Sequence, residues 1–471
     1  MAPPRLSITA VERRERPVTL RLPFRYGMVT LRSAPQAFIR VRIRLEDRRE
    51  GWGQAAEVMA PKWFDKTPTL SNEDNFDQLR DAIALYGEAL MANGLRTAFG
   101  HHAALYTAHI SAAGQAGLNP LVAGFGPALL DRAVFDGLCR TQGLTMAEGL
   151  RANLAGMTPD ALAADLTGFD FDGFLAAHVP LSSVHARHTV GFVDPLSAGD
   201  QTAGERVDDG LPETLEEIIA AYGITYFKIK VAGNLDEDMA RLVDIAAVLD
   251  ASDRPYSLTI DGNEQYDDAD GALALVSAIR QEARLARFNA SILFMEQPIQ
   301  RAQALERDVG DLAAAFPVII DESDADLNAF PKARARGYTG VSSKNCKGFY
   351  KSLINQARCQ VWSVADGRRY FMTAEDLTCQ AGLNVQQDLA LVSFLGIEHV
   401  ERNGHHYVFG MNGVPPHEQE AFLAAHPDLY HRHGEQVCLR IGDGRISTAS
   451  LQCPGFGAEV SPDWAAMTEM T

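Results

Sequence analysis

Thr225-Tyr226-Phe227-Lys228-Ile229-Lys230-Val231 reads as a strand, Leu235, Met239, Leu242, Ala246 and Leu249 recur at helical spacing, and Tyr256-Ser257-Leu258-Thr259-Ile260-Asp261 reads as a second strand. This strand-helix-strand unit is followed by further apolar strands expected at Ile292 to Glu296, Pro317 to Asp321, Gly340 to Ser343 and Tyr370 to Ala374, with helical segments between them. Such repetition over about 250 residues predicts a parallel α/β sheet. Periodicity alone leaves two forms open, a closed (β/α)8-type barrel and an open doubly wound sheet.

Upstream the pattern is different. Ala37-Phe38-Ile39-Arg40-Val41-Arg42-Ile43-Arg44-Leu45 alternates with period two, and from about Asn72 to Gly156 the spacing becomes helical, as in Pro127 to Leu138. Sheet followed by helices predicts an α+β module over residues 1–165, ahead of an α/β domain over residues 178–432. The polar stretch Asp194 to Gly210 reads as a loop insertion, and the tail, 433–471, is expected to return as strands to the N-terminal module.

The chain has 471 residues and a formal net charge of −18. That charge would repel a phosphate backbone and an anionic membrane surface, which argues against nucleic acid and membranes as partners. An acidic ligand would need a locally cationic site. The six cysteines are dispersed, with no C-x-x-C pair, as expected of reduced thiols. The charged N-terminal stretch lacks the apolar core of a signal peptide, and no apolar run is long enough to span a bilayer, so the expected location is the cytoplasm.

The chemistry lies where charges interrupt apolar strands. Lys228 and Lys230 are two apart, so a strand points both to one face, which in a barrel strand flanked by Ile and Val is the interior. An exposed edge strand with solvated lysines is the alternative. Asp261, Glu296 and Asp321 each end a strand, at the end of a barrel where catalytic groups sit. Three converging carboxylates would repel one another without a counter-ion, and hard oxygen ligands in that number suit Mg2+. Lys344 follows the next strand, across the barrel from Lys230 if strand order follows sequence.

Taken together, these residues resemble those of the enolase superfamily, in the branch similar to muconate-lactonising and mandelate-racemase-like enzymes. Lys228-Ile229-Lys230 resembles that branch's K-x-K strand, whose second lysine is an acid/base; Asp261, Glu296 and Asp321 resemble its Mg2+ ligands, and Lys344 its opposing lysine. Asp321-Glu322 leaves the third ligand ambiguous. The resemblance implies a modified barrel with an N-terminal α+β capping domain, whose loops around Phe24 to Gly27 and Gly51 to Ala55 close over the substrate. It further implies contacts to substrate from Lys228, Tyr26, Asn263, Glu375 and His405, a small-molecule carboxylate as substrate, and a homo-oligomer. The implied activity is removal of the α-proton of a carboxylate to give an enediolate, in a racemase, epimerase or cycloisomerase. An acid-sugar dehydratase and a catalytically silent ligand-binding paralogue are the alternatives. The long interval between Asp261 and Glu296 predicts an extended helix, and Asn345-Cys346-Lys347-Gly348-Phe349 stands where the branch has a glycine-rich segment.

Overall fold

The computed structural model describes residues 2–26, 29–202 and 204–470. Strands β1 (Leu6–Tyr26), β2 (Val29–Leu45) and β3 (Glu50–Val58) form an antiparallel meander. Period-two alternation makes one face of β2 apolar: Ala37, Ile39, Val41, Ile43 and Leu45 are buried. Arg40, Arg42 and Arg44 face outward and pair with Glu12 and Glu50. The buried face packs on the helix Phe125–Gln142, whose residues through Cys139 are all buried. Contact between β3 and this helix is so close that a Cβ on Gly53 would lie 2.0 Å from the Ala133 carbonyl oxygen and 2.1 Å from the Gly137 nitrogen. Backbone on both sides cannot yield easily. Gly53→Ala should therefore destabilise the protein by at least the roughly 1–3 kcal/mol typical of overpacking, read from the denaturation midpoint; an unchanged midpoint would contradict this packing.

Eight parallel strands follow: β4 (Ser183–Val190), β5 (Tyr226–Lys230), β6 (Ser257–Asp261), β7 (Ile292–Glu296), β8 (Val318–Ile320), β9 (Gly340–Ser343), β10 (Phe371–Ala374) and β11 (His399–Glu401). Pairing of β11 with β4, with Glu401 opposite Arg187, closes them into a barrel and removes the open-sheet alternative. One of these strands, β4, was not among the apolar runs expected as strands. In β4 the residues reaching into the barrel are polar, as Arg187 and Thr189 show by bonding to Glu375 and Glu401, while Val184, Ala186 and Val190 are the buried apolar set. A strand with polar residues on its inner face does not announce itself as core.

The interval after Asp261 holds two helices, Ala269–Gln281 and Ala286–Ala290, separated by a 3-10 turn, rather than one extended helix. The tail serves both units. After the hairpin of β12 (Tyr430–His433) and β13 (Gln436–Leu439), β14 (Arg445–Ser447) pairs with β4 of the barrel, and β15 (Thr468–Glu469) pairs with β1 of the N-terminal sheet. No helix among the described residues is long and apolar enough to cross a membrane.

Candidate active site

Strand register brings the charged residues together. Lys230 lies opposite Asp261, and Asp261 opposite Glu296, so three neighbouring strands present charges at one level. Asp321 directly follows β8, and Lys344 follows β9. Around an eight-strand circle β5 and β9 are opposite one another, which sets Lys230 and Lys344 across the mouth. Lys228 and Lys230 are both buried, so the face they share is the barrel interior and the edge-strand alternative falls.

Lys228 is the centre of the arrangement. Its ammonium stands 3.2 Å from Asp261, 2.9 Å from Glu296, 3.0 Å from Glu375 and 3.1 Å from Glu401. Burial alone would lower the pKa of Lys228, but these four carboxylates outweigh it and hold the group well above its ordinary value. Beneath it, the fully buried guanidinium of Arg187 donates to Glu375, to the Ala374 carbonyl at 3.0 Å and to Nδ1 of His399 at 2.7 Å. The barrel axis thus holds a column of paired charges where barrels more often hold layers of branched apolar side chains.

At the mouth, Lys230 donates to Asp261 Oδ2 at 3.0 Å. Asp321 accepts from Lys344 at 2.7 Å, from Lys347 at 3.2 Å and from the Ser342 hydroxyl. Burial pushes Glu296 well above the ordinary carboxyl range, with Glu375 and Asp261 adding to the effect and Lys228 opposing it. Burial acts on Asp321 in the same sense, but Lys344, Lys347 and Lys228 hold it well below its ordinary range. Glu322 is pushed up to about 7 by burial and by the neighbouring Asp321 and Glu264.

The N-terminal domain covers this mouth. Phe24, Leu31, Ala60, Trp63 and Lys66 line one pocket with Lys228, Lys230, Asp261, Asp321 and Lys344. The Trp63 ring centroid lies 4.3 Å from Lys344 Nζ, a cation–π contact that caps the lysine. Lys66 pairs with Glu264, which Arg301 also holds through two 2.8 Å bonds. The covering segment differs in part from expectation: Gly51 to Ala55 belongs to β3 beneath the helix Phe125–Gln142, and Ala60 to Lys66, just after β3, reaches the mouth.

The remaining expected substrate contacts divide. Asn263 lines the pocket; its left-handed backbone (φ 45°) lets its N–H donate to Asp261 Oδ1 at 2.8 Å. Glu375 does not line it, because both of its oxygens are engaged below by Lys228 and Arg187. His405 lies outside it too, packed edge-on to His188 and Tyr222 beside a separate small cavity with Cys379 and Cys438. The Tyr26 side chain and Gly27 lie outside the described residues. Sequence reading passed over Arg187, Trp63, Lys66 and the role of Glu401. Only Glu401 carried a usable signal, a carboxylate ending a strand like the other three.

The donor set suits a hard divalent cation, because Asp261, Glu296 and Asp321 supply only carboxylate oxygens from adjacent strand ends. Glu296 Oε2 is buried without a hydrogen-bond partner, although Lys228 Nζ is 2.9 Å away. Lysines balance these carboxylates, and no three His, Cys, Asp or Glu side chains among the described residues are grouped to hold an ion.

A family model described as "Enolase C-terminal domain-like" matches residues 210–364. No curated protein matches the chain. Among solved structures, the dipeptide epimerase of Enterococcus faecalis V583, complexed with Mg and the dipeptide L-Leu-L-Tyr, superposes with a TM-score of 0.60 at 14% identity, covering 96% of this chain and 99% of that one. An enolase from Bradyrhizobium complexed with magnesium and mandelic acid gives 0.58 at 16% identity, covering 99% and 98%. The L-Ala-D/L-Glu epimerase of Bacillus subtilis gives 0.56 at 16%, covering 96% and 98%. The closed eight-stranded parallel barrel with its N-terminal antiparallel-sheet domain accordingly matches the folds of enolase-superfamily proteins.

Proposed function

We propose that this protein is an Mg2+-dependent enzyme that removes the α-proton of a small carboxylate, most simply as a racemase or epimerase. The observation that carries this reading is the pair Lys230 and Lys344 on opposite sides of one covered mouth, with Asp261, Glu296 and Asp321 on the three strands between them. Asp261, Glu296 and Asp321 would hold the ion, which when bound supplies Lewis-acid stabilisation of negative charge developing on a substrate carboxylate.

The chain's own groups divide the remaining work. Lys228, fixed by four carboxylates, is a permanent cation at the floor of the mouth and favours an anionic substrate there. Lys230 takes the α-proton from one face, and Lys344 delivers or takes a proton at the other. Trp63, Phe24 and Leu31 exclude water, which strengthens every charge interaction beneath them. Lys66 adds a cation at the rim.

The test is exchange of α-protons with solvent deuterium, followed by NMR, across acid sugars, N-acyl amino acids and dipeptides. Exchange that requires Mg2+ and stops on chelation is expected for at least one class; exchange that persists after exhaustive metal removal overturns the metal's role. Separate replacements resolve the third ligand. Asp321→Asn should weaken Mg2+ binding by about tenfold or more, and Glu322→Gln by less, measured by calorimetric titration; the reverse order would assign the ligand to Glu322.

A further inference from the structure

A cavity of about 780 Å3 lies at the end of the barrel opposite the candidate active site. It is bordered by the residues that begin the strands, among them Leu293 and Phe294 of β7, Phe371 of β10 and His399 of β11. Its volume falls within the range of small-molecule sites.

The lining has a distinct chemistry. Arg368 and Arg369 stand exposed at the edge with Glu398 as the sole acidic lining residue, in a chain whose net charge is −18. A locally cationic groove on an acidic protein concentrates anions. The floor is apolar and aromatic: Leu293 is 36% exposed, Phe371 is half-buried, and the Phe294 and Phe371 rings are 5.6 Å apart. His399 stacks on Tyr226 at 4.9 Å and 21°. Since Arg187 can only donate, Nδ1 of His399 accepts, and the neutral ring carries its proton on Nε2 as a donor. Arg369 lies 5.5 Å from the Phe371 ring centroid, so a guanidinium and an aromatic plane already share one wall.

We propose that this groove is a second ligand site, separate from the catalytic mouth, that takes a planar aromatic anion: the ring lies against Phe371 and Phe294, and the anionic group meets Arg368, Arg369 and His399. Charge complementarity selects this occupant, because a neutral aromatic would make no use of the positive charge of Arg368 and Arg369 and a bare inorganic anion would leave the apolar floor uncovered.

Calorimetric titration of the full chain with naphthalene-2-sulfonate tests the assignment, with the neutral naphthalene-2-sulfonamide and inorganic sulfate as comparisons. One saturable site is expected, with the sulfonate binding at least about tenfold more tightly than either comparison. The Arg368→Ala/Arg369→Ala double variant, changed only at exposed positions, should lose about tenfold or more, while Lys66→Ala at the catalytic rim should bind unchanged. Binding that is lost in Lys66→Ala and retained in the double variant would place the ligand in the mouth and overturn the proposal, as would affinity weaker than about 1 mM for the wild-type chain. Sedimentation of the same proteins covers the alternative occupant: a dimer that the double variant separates, without sulfonate binding, would make the groove a contact between copies and equally overturn the proposal.

Discussion

Lys228→Met should destabilise the protein by about 3–5 kcal/mol, the cost of removing one partner from a buried ion pair. Methionine fills nearly the same volume, so the loss isolates charge from packing. The ammonium it replaces is within 3.2 Å of Asp261, Glu296, Glu375 and Glu401, all of them almost wholly buried. Without it, Glu375 keeps Arg187, Asp261 keeps Lys230, and Glu401 keeps Thr189 and Asn403. Glu296 loses the one side-chain hydrogen-bond donor it has among the described residues. Burial also holds its carboxyl well above the ordinary range, so Lys228→Met/Glu296→Gln should recover part of the lost stability. Denaturant unfolding of the wild type, single and double variants measures this. A single variant with an unchanged midpoint would mean that Lys228 is not the keystone its contacts imply.

Lys230→Ala and Lys344→Ala should each lower turnover by about 10²–10⁴-fold, the usual worth of a positioned acid or base, and should do so with opposite stereochemistry. Lys230 projects from the end of β5 and Lys344 from beyond β9, so each can reach only one face of a carboxylate held between them. Lys230→Ala should still exchange the α-proton of one stereoisomer with deuterium, and Lys344→Ala that of the other. The surroundings of Lys344 add a second discriminating outcome. Although burial alone would lower its pKa, Asp321 holds Lys344 above its ordinary value, and Trp63 caps its charge. If Lys344 acts only as that fixed cation, as a dehydratase or cycloisomerase could use it, its loss would slow exchange at the single reactive stereoisomer with no change of face. Normal exchange of both stereoisomers in both variants would remove the lysines from the proton-transfer step.

The legible parts of this protein are those governed by local spacing. Period-two apolar residues marked β2, helical spacing marked Leu235 to Leu249, and Lys228 and Lys230 had to share a face because a strand alternates. Asp261, Glu296 and Asp321 were conspicuous because each closed an apolar run, and their strands emerged within a residue of the expected bounds. Glu375 showed the limit of the same reasoning. Its position after β10 was readable, but its direction depended on Arg187, a residue on a strand that the sequence disguised by turning polar side chains inward.

By itself the sequence determined the strand-helix alternation, the common face of the two lysines and the three acidic strand ends, because each is set by neighbours a few residues apart. Only the tertiary structure decided that the sheet closes, that Lys228 is shared by four carboxylates, and that Trp63 and Lys66 rather than Gly51 to Ala55 cover the mouth. Those outcomes depend on pairings such as Glu401 with Arg187 and Trp63 with Lys344, which barrel closure and domain docking create between segments far apart in the chain. No local periodicity encodes them, because the energy that selects them is the neutralisation of buried charge and the covering of apolar surface, and both exist only once the distant segments have met.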